Sequence, residues 1–218
     1  MKTDELIDRL GRDVTVAQPL PAPGIRTAMW TVWAVSFLLV AAVMMFAVMS
    51  SAAVTLTPLY LVQQSVALVT GIMAARAALA SVIPGSNNRV WVLPAIGAAV
   101  WGVSLLWAGV LDLQASGTLG VTSQSDWPCV VSMAVGGLVV GSPLIWMLQR
   151  GAPLTPGLTA FLAALAALSF ANIEACLTRP HAFALTVFLW HGGMVTAVAA
   201  ICALTGHRWL RWPDLTTR

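Results

Sequence analysis

Six blocks of apolar residues, separated by short stretches of turn chemistry, dominate this chain. Crossing about 30 Å of hydrocarbon takes roughly 20 apolar residues as a helix, and each block reaches that length. Helices are predicted at Ala28–Val54, Pro58–Ile83, Val90–Leu111, Trp127–Leu148, Leu158–Leu177 and Ala182–Thr205. Backbone polar groups cannot be left unsatisfied in lipid, so blocks of this kind are read as helices rather than open strands. The breaks agree: Pro84-Gly85-Ser86-Asn87-Asn88, the segment 151–157 with two prolines, and Arg179-Pro180. Only 9% of the residues are charged, against about 25% in a soluble domain, too few to cover a water-facing surface. The expected fold is all-α: a polytopic membrane bundle of six transmembrane helices, preceded by a short N-terminal cytoplasmic amphipathic helix.

Charge placement orients the bundle in the bilayer. With the N-terminus inside, Lys2, Arg9, Arg12, Arg26, Arg76, Arg89, Arg150, Arg208, Arg211 and Arg218 all fall on or near the inner face, and only Arg179 falls outside. Arg76 lies within the second block, 18 residues after Pro58, or about 27 Å of helix, and can snorkel to the head groups. The expected topology is multi-pass, with both termini cytoplasmic. Trp30, Trp33, Trp91, Trp146, Trp209 and Trp212 are expected near the inner boundary, and Trp107 and Trp127 near the outer one. Trp101 and Trp190 are expected to pack between helices. Small residues at Gly137, Gly141, Ala160, Ala164, Ala167 and Ala171, with Gly192 and Gly193, point to close packing of the fourth to sixth helices. No cleaved leader is expected, because residues 1–26 hold four acids.

The domain reading is 1–26, a docking helix and Pro-rich linker; 27–206, the six-helix transmembrane domain; and 207–218, a cytoplasmic tail. In the first segment Thr3 suits a helix N-cap, followed by Asp4 in the first turn, where an acid complements the helix dipole. Leu6, Ile7 and Leu10 share one narrow arc with Val14, while Asp8, Arg9 and Arg12 cover the other side. Such a stripe either rests on the membrane surface or docks a cytoplasmic partner. The linker Pro19-Leu20-Pro21-Ala22-Pro23-Gly24 is expected to be extended.

Three cysteines are candidates for chemistry. Cys129 opens the fourth block and Cys176 closes the fifth, so both approach the outer face. Cys202 lies 20 residues beyond Ala182, roughly 30 Å across the membrane, beyond disulfide reach of the other two, and reads as a packing residue. Cys129 and Cys176 could form a redox-sensing disulfide, join His181 and Glu174 around a thiophilic metal, or simply fill space. Beyond a metal ion as a signal, no cofactor is expected. No basic patch interleaved with aromatics suggests direct nucleic-acid binding; the expected partners are the bilayer and a cytoplasmic protein.

Several motifs resemble one family. The start Met1-Lys2-Thr3-Asp4-Glu5-Leu6-Ile7-Asp8-Arg9-Leu10 is similar to the opening of NrsF-family proteins, which are bacterial inner-membrane anti-sigma factors. So are Arg150-Gly151-Ala152-Pro153-Leu154-Thr155-Pro156, Cys129 after Trp127-Pro128, Cys176 ahead of Pro180-His181, and Phe188-Leu189-Trp190-His191. The resemblance implies sequestration of an extracytoplasmic-function sigma factor at the membrane, with release on an envelope redox or metal signal, and no enzymatic activity. Two other classes fit the sequence less well. A transporter would need ionisable groups along a path, whereas Asp112, Asp126 and Glu174 all sit at helix ends. An intramembrane serine protease would pair Ser104 with His191, but Leu105 stands where the rhomboid motif needs glycine.

Overall fold

The computed structural model describes residues 20–48, 57–83, 85, 89–117, 127–151, 153–178 and 183–210. The stripe at Leu6, Ile7 and Leu10, with Thr3 and Asp4, lies outside them, as do His181 and the end of the tail. The described residues form six long apolar helices and no strand: α1 Pro23–Val48, α2 Pro58–Ser81, α3 Val92–Ser116, α4 Trp127–Gln149, α5 Pro156–Thr178 and α6 Ala184–Trp209. All are long and apolar enough to cross a bilayer.

Proline sets three of the starts. Its fixed φ suits the first turn, where its missing N–H costs nothing. Thus α1, α2 and α5 open on Pro23, Pro58 and Pro156. At α2 the Thr57 hydroxyl also accepts the Tyr60 N–H at 3.1 Å. Helix α1 therefore begins five residues before the expected Ala28. Helix α3 runs to Ser116, five residues past the expected Leu111, and stops at Gly117, whose φ of 70° gives the left-handed C-terminal turn.

Helix α5 is the hub. In its most apolar stretch 83% of residues are buried, against 11–33% in the other five helices. Ala160, Ala163, Ala166, Ala167, Ala171 and Ala175 are all nearly inaccessible, which lets α2, α4 and α6 approach its backbone. The expected glycine face of α4 packs here: a Cβ on Gly141 would lie 3.3 Å from that of Ala167, and one on Gly137 would lie 2.9 Å from Leu168. The close packing of α4 to α6 is thus present, but α2 shares it as a full partner along α5. At the other contact, a Cβ on Gly206 of α6 would lie 2.7 Å from the Pro156 carbonyl.

Contacts between helix ends give an up-and-down arrangement. At one end Arg26 donates to the Met147 carbonyl, Gly151 abuts Val82, the Ser81 and Thr159 hydroxyls bond at 2.7 Å, and Gly157 abuts Ala203. This is the basic end, where Arg150 also stacks on Trp146 at 3.6 Å from the ring centre. At the opposite end the Ala184 N–H donates to Asp112 Oδ2 at 3.0 Å, capping α6 with a side chain from α3.

Two tryptophans depart from expectation. Trp30 is fully buried, with its indole N–H donating to the Val140 carbonyl at 2.9 Å and its ring edge-on to Phe170 at 5.2 Å. Its indole thus pins α1 to α4 and α5 rather than marking the head-group boundary. Trp190 is 37% exposed and turned outward. The cause is a π-helical turn at Phe188–Gly192, whose extra residue per turn rotates the faces of α6 and turns His191, not Trp190, inward.

Candidate functional site

A polar cluster lies within the bundle toward the Asp112 end. Asn172 on α5 stands about 9 Å below Thr178, and His191 on α6 about 10 Å below Ala184, by helix rise. They meet: His191 Nδ1 and Asn172 Oδ1 are 2.8 Å apart, and both side chains are buried. Cys176 is one turn beyond Asn172 on the same face, so its thiol joins them, 3.9 Å from Asn172 Oδ1 and 3.8 Å from His191 Nδ1. Gln64 of α2 also reaches the Cys176 side chain.

Cys129 on α4 is buried and lies near enough to Cys176, as does Glu174, for the groups to interact electrostatically. One turn along α4 from Cys129, the Ser132 hydroxyl donates to Glu174 Oε2 at 2.6 Å. This bond ties α4 to α5 at the level of the two thiols. No disulfide joins the three cysteines. Cys202 is half-buried against the main core, toward the basic end. Among the described residues, no group of three His, Cys, Asp or Glu side chains is placed to hold a metal ion.

A cavity of about 370 Å³ opens beside the cluster. Its lining includes Thr57 and Asp112 at the helix ends, then Tyr60, Gln63 and Gln64, and finally Cys176. Two of its polar atoms, the Tyr60 hydroxyl and Gln64 Oε1, are buried without a protein partner. Such atoms are normally satisfied by water or a polar ligand, so the cavity suits a small polar species reaching the thiol. The Gln63 amide instead donates to the Ser104 carbonyl at 3.3 Å, binding α2 to α3. The Ser104 hydroxyl donates back to the Trp101 carbonyl at 2.7 Å, and the His191 ring is engaged with Asn172.

Sequence reasoning singled out both thiols but passed over Asn172, Tyr60 and the role of Gln64. The spacing was available: Asn172 and Cys176 are four residues apart on one helix, and a buried amide in an apolar helix demands a partner.

Six apolar helices with α5 as their hub, each long enough to cross a bilayer, define a multi-pass membrane protein. Within that class, residues 12–212 match the family model described as NrsF, negative regulator of sigma F. The chain belongs to this family, and its partner is a sigma factor. No curated protein matches it, and no solved structure does.

Proposed function

We infer that the chain holds an extracytoplasmic-function sigma factor at the inner membrane through Leu6, Ile7 and Leu10, and releases it when the thiol cluster is modified. It acts by binding and not as an enzyme. The observation that carries the release step is the polar cavity ending at Cys176, with Cys129 close by on the neighbouring helix. Placement of ten of the eleven Lys and Arg residues supports both termini being cytoplasmic, and hence the thiols facing the periplasm.

The mechanism follows from the packing. A disulfide between Cys129 and Cys176, or a thiophilic metal held by both, would draw α4 against α5 at the level of the Ser132–Glu174 bond. A packed interior moves as discrete arrangements rather than deforming smoothly, so a change at one end of α4 is felt at the other. There Met147 receives Arg26, three residues past the start of α1, which carries the docking segment. A bias of about 1.4 kcal/mol changes occupancy tenfold. The test is transcription of a sigma-dependent reporter under oxidant or metal. Cys129→Ser or Cys176→Ser should blunt induction, and Cys202→Ser should leave it intact. Thiol labelling should show the first two protected together. Free labelling of both in fully induced cells would place the sensor elsewhere.

A further inference from the structure

A second and larger recess has a different character. It is a groove of about 870 Å³ between α3 and α6, with residues of α2 and α5 also in its lining. It follows α5 from Leu158 to Asn172, 14 residues or about 21 Å, and it has no charged residue in its lining. Its walls at the Asn172 end include Trp101 and Phe188. Gly102 and Gly192 line it there too, and leave the aromatic faces uncovered: a Cβ on either would only touch Phe188 or Trp101, at 3.5 and 3.8 Å.

A buried donor at the end of the groove has no partner. Asn172 is 2% exposed, and its Nδ2 has no hydrogen-bond partner, while its Oδ1 is taken by His191. The hydroxyls of Thr70, Ser169 and Thr196, which also line the groove, already donate to the carbonyls of Val66, Leu165 and Gly192. The groove therefore combines, at one end, a buried amide with an unpartnered N–H and two aromatic side chains with a long neutral apolar trough. An unsatisfied buried amide of this kind costs free energy unless a ligand meets it.

We propose that this groove binds a membrane quinone, its ring seated between Trp101 and Phe188, one ring carbonyl accepting from Asn172 Nδ2, and its isoprenoid tail lying along α5. A phospholipid fits less well. Its charged head has no counterpart in the lining, and its ester carbonyls belong near the helix ends, whereas Asn172 lies about 9 Å inside the end of α5 at Thr178. A quinone ring is flat, neutral and able to sit at that depth. The groove adjoins the polar cavity, since Trp101 lines both and Asn172 touches Cys176, but the proposal does not depend on the reading of the thiols.

The test uses the full chain in phospholipid nanodiscs, labelled with an azido-substituted short-tail ubiquinone and mapped by mass spectrometry. Labelling should saturate, fall on the peptides carrying Trp101 and Phe188–Thr196, and be displaced by decylubiquinone. Asn172→Leu should weaken displaceable labelling about tenfold, the loss expected for one hydrogen bond. Gly193→Leu is the second variant: Gly193 lines the groove, and a Cβ there meets nothing within 4 Å, so the side chain fills the trough without disturbing the fold. It should abolish displaceable labelling. Leu204→Ala, on the exposed face of α6 away from the groove, should leave labelling unchanged. Labelling that does not saturate, that excess decylubiquinone does not displace, or that persists in Gly193→Leu would overturn the proposal.

Discussion

Trp30 is the anchor of α1, and its replacement tests whether the helix that follows the proposed docking segment is a fixed part of the bundle. Its side chain is fully buried, bonds the Val140 carbonyl and meets Phe170 edge-on. Trp30→Ala removes the ring and leaves a cavity, a change that costs about 3–5 kcal/mol in protein cores. For a chain of this size each kcal/mol lowers Tm by roughly 2–4 °C, so a fall of about 6–20 °C is expected. Trp33 is an internal control one turn away. It is 48% exposed, and its N–H reaches the Val139 carbonyl at 3.2 Å on the surface. Trp33→Ala should cost about 1 kcal/mol, or a few degrees. Trp30→Phe keeps an aromatic ring, loses the N–H bond, and should fall between. The assay is loss of the monodisperse chromatographic peak in detergent after heating each variant. Equal shifts for Trp30→Ala and Trp33→Ala would refute the claim that Trp30 seats α1.

Other consequences are equally direct. Reporter fusions after Gly85, Gly120, Gly151 and Pro180 should read in, out, in, out; an odd or reversed pattern contradicts the topology. Gly206→Val drives a side chain into the Pro156 backbone and should destabilise the α5–α6 contact by about 1–3 kcal/mol, whereas Gly24→Ala, with open space around it, should not register in the same thermal assay. Ser132→Ala strips a hydrogen bond from Glu174, worth about 0.5–1.5 kcal/mol, and should alter reporter output without signal. A small cationic thiol reagent added outside intact cells should reach Cys176, and Tyr60→Trp, narrowing the cavity, should slow it; labelling rates check both.

Much of the architecture was legible because lipid leaves the backbone so few choices. Apolar length fixed the number of helices, and prolines at positions 23, 58 and 156 mark three starts to the residue, although the apolar run alone placed the first at Ala28. Side-chain direction was less accessible. In a helix apolar on every side, periodicity cannot separate a lipid-facing tryptophan from a buried one, so Trp30 was assigned to the boundary and Trp190 to the interior. The second error has a backbone cause: the π turn at Phe188–Gly192 shifts register by one residue, and no residue type announces it. Pairing of distant helices was also hidden. The approach of α2 to α5 involves Gly71 against Phe170 and the Ser81–Thr159 bond, pairs that no local pattern links. In the site, the two thiols stood out as rare residues at helix ends, while Asn172 was hidden because its meaning depends on His191 from another helix.

Binding of the sigma factor is the claim on which the functional account rests. Tagged full-length chain, captured from membranes of its own host and analysed by mass spectrometry for bound proteins, measures it. The account predicts that a sigma factor is retained by the native chain and lost from Leu6→Asp/Leu10→Asp at equal membrane levels. Absence of a sigma factor from the native capture, or equal retention by the double variant, would contradict it.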